Sequence, residues 1–513
     1  MHSMPSNSDI PEYHTGMLLV RTTKSPLLRE HGAMTAAFAS DALRDSLLER
    51  AGNPPAASGL AAIGYFERAG LIRKVTPIRP PSQPGLDEAL SFAATSSGFG
   101  ATAALMAAAL AADPDRAADD PTSGMSLIEF ERDEDRDAAQ RALGADPGIA
   151  TVSRVPVRYL AARKARRTHA QPAAAALPPP PATMWNLRKI QWQQARALPN
   201  FVDAADIRVA VLDSGIDTAH PDLNGRVASY VHAHPDLPKA SSPQDLIGHG
   251  THVSGTICAL IDNDLGINGI CDCRLMAWKI FDDTPDPVKG PFGAYYLYFV
   301  DPVMYLRALF DCVAQKPHVL NLSIGGTGKP SDAEAEAFRL LLAGGTTVVA
   351  AMGNSREEGS PISYPAAIPG VLAVGATGIT DRVARFSNSG NHIALSAPGE
   401  AIWSTLPTYP GQSGFDAVPG PNGRLRQGKP RRRETDYDAW PGTSMAAPHV
   451  TAAVALYLAN GGGADPSEIR QAFAATCDKV PGMAGQPFHP DYGYGRLNLL
   501  ALLDHVHQAR PRA

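Results

Sequence analysis

Cysteine is scarce in this chain, with five residues in 513: Cys258, Cys271, Cys273, Cys312 and Cys477. An odd handful of thiols does not make a secreted disulfide framework and fits a reducing compartment. Cys271-Asp272-Cys273 lacks a second ligand pair at zinc spacing, so buried thiols are the plainer reading. No apolar run reaches the about 18 residues a membrane-crossing helix needs, so no membrane partner is expected. The opening M-H-S-M-P-S-N-S-D-I-P-E-Y-H has no basic-then-apolar stretch of the secretory kind, which points to a cytoplasmic protein. Charge of one sign is also lacking. A formal net charge of −5, with 19% charged residues, gives no general pull toward nucleic acid or acidic membranes. The basic run Lys429-Pro430-Arg431-Arg432-Arg433 reads as an exposed, nickable loop rather than a nucleic-acid patch. What the chain does have is 44% hydrophobic residues, enough for a sizeable core in two or three domains.

A composition break falls at 161–183, basic and then Ala/Pro-rich, which reads as an extended, protease-accessible linker. It separates an N-terminal domain, 1–160, from a larger one, 184–513. In the first, strand patterns at Met17–Thr22, Leu71–Ile78, Met125–Glu131 and Ala150–Tyr159 alternate with helix patterns at Ala33–Arg50 and Asp133–Leu143. That order is β-α-β-β-α-β, the split ferredoxin-like α+β arrangement, with 80–124 as a Pro/Ser/Ala-rich insertion. After the linker, short apolar strands at Arg208–Leu212, Val319–Ser323, Thr346–Ala351 and Val371–Gly375 interleave with helices at Thr251–Leu260, Val303–Gln315, Asp332–Ala343 and Ser444–Ala459. Strands interleaved with helices imply an α/β parallel sheet with helices on both faces, whose sites gather at the carboxyl ends of strands.

Asp213 follows its strand directly, His249 sits between two glycines at a helix start, and Ser444 opens a helix of small residues. A hydroxyl attacks a peptide carbonyl poorly unless a histidine takes its proton and a buried carboxylate holds that histidine in the right tautomer. These three residues supply the carboxylate, the base and the nucleophile. Ser444 at a helix N-terminus places its alkoxide in a favourable dipole, with Pro448 expected in the first helical turn. His249 and His252 are three apart, yet no H-E-x-x-H and no third ligand accompanies them, so His252 reads as structural. Asn354, ending the strand Ala351-Met352-Gly353, can donate its amide to a developing oxyanion, and alone it would read as a turn residue. A histidine base implies activity that falls on acidification through about pH 6–7.

The stretches V-A-V-L-D-S-G-I-D, H-G-T-H-V-S-G-T and G-T-S-M-A-A-P-H-V, in that order, resemble the three signatures of the subtilisin-like serine proteases, the subtilases. Asn321-Leu322-Ser323-Ile324-Gly325-Gly326, Tyr364-Pro365-Ala366 and Gly493-Tyr494-Gly495 add weaker matches, and the resemblance covers about 184–505. It implies a subtilisin-like catalytic domain, a serine endopeptidase acting through an acyl-enzyme on Ser444, with Asp213 orienting, His249 as base and Asn354 as oxyanion donor. No cofactor is required for that chemistry. The partner implied is a polypeptide held along Ser323 and Ile324, with Gly325, Gly326 and Ser363 around an apolar side-chain pocket; Arg356, Glu357 and Glu358 bias it or are solvated. A structural calcium is implied at Asp222 and Asn263, where the run Asp262-Asn263-Asp264 equally matches a plain acidic turn. The family also implies that the N-terminal domain is an intramolecular inhibitor, released by a cut in the linker, as in a zymogen. The alternative is a narrow-specificity intracellular regulatory protease whose N-terminal domain docks a partner. Two departures from the family are residues inserted between Lys279 and His318 and the long stretch 408–437.

Overall fold

The computed structural model describes residues 10–22, 66, 70–78, 121–122, 124–146, 148–160, 184–234, 242–290, 293–421 and 424–509. The expected helix Ala33–Arg50, most of the 80–124 insertion and the linker 161–183 lie outside them. The chain forms two compact units, the smaller built on Tyr13–Pro156 and the larger on Val157–Gly328 with Phe338–Ala513. Val157–Leu160 thus belong with the larger unit, ahead of the compositional break.

In the smaller unit, β1 (Tyr13–Thr22), β2 (Ile72–Pro77), β3 (Met125–Phe130) and β4 (Ile149–Pro156) form an antiparallel sheet in the order β2-β3-β1-β4. The register sets Leu18 opposite Ile128. Leu18, Val20, Ile128 and Phe130 form one buried cluster with Ala139, Ala142 and Leu143 of α1 (Asp133–Gly144). That helix opens on Asp133, Glu134 and Asp135, the charge a helix N-terminus favours. Strand order and the described helix match the ferredoxin-like expectation.

The larger unit begins with a two-residue strand, β5 (Tyr159–Leu160). Its main sheet is seven-stranded among the described residues: β6 (Arg208–Asp213), β7 (Val227–Val231), β8 (Arg274–Lys279), β11 (Val319–Leu322), β13 (Thr347–Ala351), β14 (Leu372–Thr377) and β15 (Ile393–Pro398). The order is β15-β14-β13-β11-β6-β8-β7 and every pair is parallel. Val209, Ala210, Val211 and Leu212 are buried, which explains the unbroken apolar run in β6. Three further helices matter to the site: α2 (His249–Cys258), α3 (Pro302–Gln315) and α4 (Thr443–Ala459). The predicted helix Asp332–Ala343 forms with those bounds.

Two expectations change here. Pro448 lies within α4 beyond its first turn, so its missing N–H leaves the Ser444 carbonyl without its helical partner; the Ser323 hydroxyl donates to that oxygen instead, at 3.0 Å. The stretch 408–437 is not a loop. It contributes β17 (Gln412–Pro419) and β18 (Leu425–Arg432), which join β9 (Asp286–Gly290) and β10 (Gly293–Leu297) in an antiparallel sheet of order β18-β17-β10-β9. Both departures from the family pattern therefore build one element, with Tyr296 opposite Phe415. Among the described residues no helix is long and apolar enough to cross a membrane.

Candidate active site

β6 delivers Asp213 at its carboxyl end, and α2 begins with His249, two residues earlier than the sequence pattern suggested. The Asp213 Oδ1 lies 2.7 Å from His249 Nδ1 and also accepts the Ser214 N–H at 2.7 Å. Both side chains are buried, at 1% and 0% exposure, so their hydrogen bond is shielded from water. Helix α2 packs against α4, which carries Ser444. The Ser444 hydroxyl donates to the Ser323 carbonyl at 2.9 Å, while His249 Nε2 has no hydrogen-bond partner among the described residues. The base is therefore placed with an open acceptor, and the hydroxyl rests on the neighbouring strand end.

Asn354 follows β13 by three residues, and its Oδ1 accepts from Thr443 N and Thr443 Oγ1, each at 2.9 Å. This holds the amide against the residue before Ser444 and turns Nδ2 away from Thr443. Ser323, fully buried, exchanges hydrogen bonds with Ser444 in both directions. Behind it, Asn321 donates to the Ser323 hydroxyl and accepts from Thr451.

A cleft beside these groups is lined by Tyr159, Gly325, Asn354, Ser355, Ser363 and Asn388, among others. Gly325 and Ser363, expected around a side-chain pocket, lie on this lining together with Asn354, the expected oxyanion donor. Gly326 is not on this lining: a Cβ there would lie 2.1 Å from the Val157 carbonyl, so its bare backbone lets the Val157 segment pass. The lining mixes small residues with the Tyr159 ring, and the larger share of its surface is apolar. Arg356 does not bias the pocket, because it forms a bidentate pair with Asp491 at 2.7 and 2.9 Å.

Ile324 belongs to β12 (Ile324–Gly325), which pairs antiparallel with β5, Ile324 opposite Leu160 and Gly325 opposite Tyr159. On the other side, the Val300 N–H donates to the Arg158 carbonyl at 3.1 Å. Arg158 is 1% exposed and donates through Nη1 to the Gly328 carbonyl at 2.8 Å. A segment of the chain itself thus runs between two backbone edges, one of them leading out of Ser323. The register of this pairing was not legible in the sequence, because two residues of strand leave no period to detect.

Asp222 and Asn263, named as calcium ligands, do meet. Asn263 Nδ2 donates to Asp222 Oδ1 at 2.7 Å, while Asn263 Oδ1 accepts from Leu265 N at 3.1 Å. The Ile267 N–H and the Tyr437 hydroxyl donate to Asp222 Oδ2. Donors, not oxygens, converge on the buried carboxylate, so this arrangement does not fit a cation cage. Among the described residues no group of three or more His, Cys, Asp or Glu side chains could hold a metal ion. The five cysteines are buried, unpaired thiols, and burial helps raise the pKa of Cys312 and Cys477.

His252 stacks on Trp440 at 5.1 Å and bonds to the Ile402 carbonyl, and burial pushes it down to about 3. His449 meets Asn186 at 2.9 Å, and burial pushes it down to about 4. Both imidazoles stay neutral in the folded protein. In the unfolded chain a histidine binds its proton near pH 6.5. As pH falls from there toward 4, the unfolded chain takes up protons that the folded one refuses, so stability is lost. The expected result is a Tm that declines steadily from pH 7 to pH 4.5, with a shallower slope in His449→Gln; parallel slopes would contradict a buried neutral His449.

A parallel sheet that presents an aspartate–histidine pair at a strand end, facing a helix that starts with a buried serine, is the framework of a serine hydrolase. The profile of the Subtilase family matches residues 204–495. Subtilisin from Bacillus pumilus is 33% identical over 303 residues, covering 58% of this chain and 90% of the relative. Against subtilisin E of Bacillus subtilis (strain 168) the chain spans 65% of the relative's length. The major intracellular serine protease of the same organism is 35% identical over 263 residues, 50% of this chain and 69% of that protein. The crystal structure of fervidolysin from Fervidobacterium pennivorans, described as a keratinolytic enzyme related to subtilisin, shares the fold with a TM-score of 0.58 at 24% identity, covering 96% of this chain and 62% of that one. The chain belongs to the subtilase family of serine endopeptidases.

Proposed function

We propose that the protein hydrolyses peptide bonds through an acyl-enzyme on Ser444, and that its N-terminal region holds this activity in check. The observation that carries the first part is the buried 2.7 Å pair of Asp213 and His249. In this reading the Ser444 hydroxyl turns from the Ser323 carbonyl to His249 Nε2, which takes its proton as Oγ attacks the substrate carbonyl. The carbonyl oxygen becomes an oxyanion and accepts from Asn354 Nδ2 and the helix start at Ser444. His249 then gives its proton to the departing amine nitrogen as the C–N bond breaks, and water releases the acyl group by the same steps reversed. No cofactor enters these steps.

Support for restraint comes from β5, which lies along Ile324–Gly325 as an added strand, the way an extended substrate would be bound by backbone hydrogen bonds. A domain on 1–160 followed by a cleavable linker at 161–183 would let one cut free the cleft. The expected result on storage is that wild-type protein separates into two fragments with new termini in the linker, while Ser444→Ala stays full length. Both proteins remaining intact while wild type digests casein would sink self-processing. The inserted sheet favours the second reading of narrow selection, since its strand β10 ends three residues before Val300, beside the Arg158 carbonyl. Five buried, unpaired thiols support an intracellular site of action.

A further inference from the structure

We propose that Arg433, carried by the inserted stretch after β18, is a positioning residue for His249; the inference rests on the hydrolase reading above. The turn 245–248 feeds directly into α2, whose first residue is His249. Arg433 is 9% exposed and closes on that turn, with Nε donating to the Leu246 carbonyl and Nη2 to the Asp245 carbonyl, each at 3.1 Å. Its Nη1 reaches the carbonyls of Pro407 at 3.3 Å and Glu434 at 2.9 Å. The same inserted stretch supplies the Gln412 N–H to Leu246 O at 3.0 Å, and Tyr409, whose hydroxyl accepts the Asp245 N–H at 2.7 Å. Gly248 makes the closure possible: its φ is +87°, and a Cβ there would lie 2.7 Å from Arg433 Cδ.

The far side of the turn leads to the catalytic pair. The Asp245 carboxylate is fully buried and accepts Gly248 N, Thr251 N and Thr251 Oγ1, taking up donors at the start of α2. It also accepts the Ser214 hydroxyl at 2.8 Å, and that hydroxyl accepts the Gly250 N–H at 2.9 Å. Ser214 is the residue after Asp213. One carboxylate therefore ties the helix bearing the base to the strand bearing its orienting aspartate, and Arg433 grips the backbone that holds the carboxylate. A guanidinium whose hydrogen bonds go to carbonyls, with its Cζ 5.7 Å from the Tyr409 ring centre, is a costly thing to bury for packing alone, whereas a planar fork of donors suits holding a turn rigidly.

The test compares full-chain wild type, Arg433→Met, Arg433→Lys and Tyr409→Phe on casein and a chromogenic peptide anilide, with Arg426→Met on the exposed edge as control. Arg433→Met is expected to lower kcat roughly 10- to 100-fold with KM within about threefold, because small misplacement of a base is expensive. Its acid limb should move to lower pH, since an imidazolium out of line with Asp213 is less favoured. Arg433→Lys should recover only part, one ammonium being unable to span four carbonyls, and Arg426→Met should match wild type. A lowered Tm with kcat and acid limb unchanged would show packing only and overturn the proposal. Should Arg433→Met fail to fold, Tyr409→Phe decides: a lowered kcat supports positioning, an unchanged kcat overturns it. Wild type that resists fluorophosphonate labelling at Ser444 removes the hydrolase reading and this inference together; labelled wild type beside an unaffected Arg433→Met removes the positioning alone.

Discussion

Ser444→Ala is expected to remove turnover while leaving the fold in place. The drop, about 10⁶-fold in kcat, is the scale established for subtilisin itself and is carried over from that relative. What this structure adds is the reason folding should survive. Among the described residues the hydroxyl donates one hydrogen bond, to the Ser323 carbonyl, and its loss costs on the order of 1 kcal/mol. Alanine also suits a helix start already built of small residues, where Met445, Ala446 and Ala447 are fully buried. Stoichiometric labelling of wild type by a fluorophosphonate, none in the variant, and Tm values within a few degrees make the check. Retained hydrolysis in purified Ser444→Ala would transfer the nucleophile's role elsewhere.

Asp213→Asn should be the second largest loss, about 10⁴-fold in kcat with KM little changed, on the pattern of orienting carboxylates generally. Asp213 Oδ1 accepts from both His249 and Ser214, so an amide nitrogen placed there would meet the Ser214 N–H and could serve His249 only by donating to Nδ1. That forces the imidazole proton onto Nε2, the atom that must be bare to receive the serine proton. The opposite amide orientation puts N–H at the Oδ2 position, which is buried and has no partner among the described residues, at a cost of about 1–3 kcal/mol. Both choices are poor, so a modest fall in Tm should accompany the kinetic loss. Activity above a tenth of wild type would mean the carboxylate does not govern the tautomer.

Much of the site was legible before folding because each reacting residue lies beside the end of its own strand or helix. Asp213 closes an apolar strand, His249 opens a helix after Gly248, and Ser444 is the second residue of another that follows Gly442. Asp245 could have been found as well, being an acidic residue just ahead of a helix start. Arg433 could not. It sits in a basic run that reads as solvated, and only the approach of residues 245–246, almost 190 positions away, gives its donors acceptors. The register that sets Tyr159–Leu160 against Ile324–Gly325 was equally hidden, because backbone hydrogen bonds are nearly indifferent to side chain.

Local order thus determined the parallel α/β sheet, the ferredoxin-like arrangement of elements and the candidate reacting groups, since period, caps and short motifs act within a few residues. Tertiary structure alone decided that two insertions, 286–297 and 412–432, share one sheet, that the arginine after them grips the turn into the histidine helix, and that the chain lays its own strand beside Ser323. Those outcomes depend on which backbone edges and buried acceptors come within about 3 Å of one another, a distance that no spacing along the chain encodes.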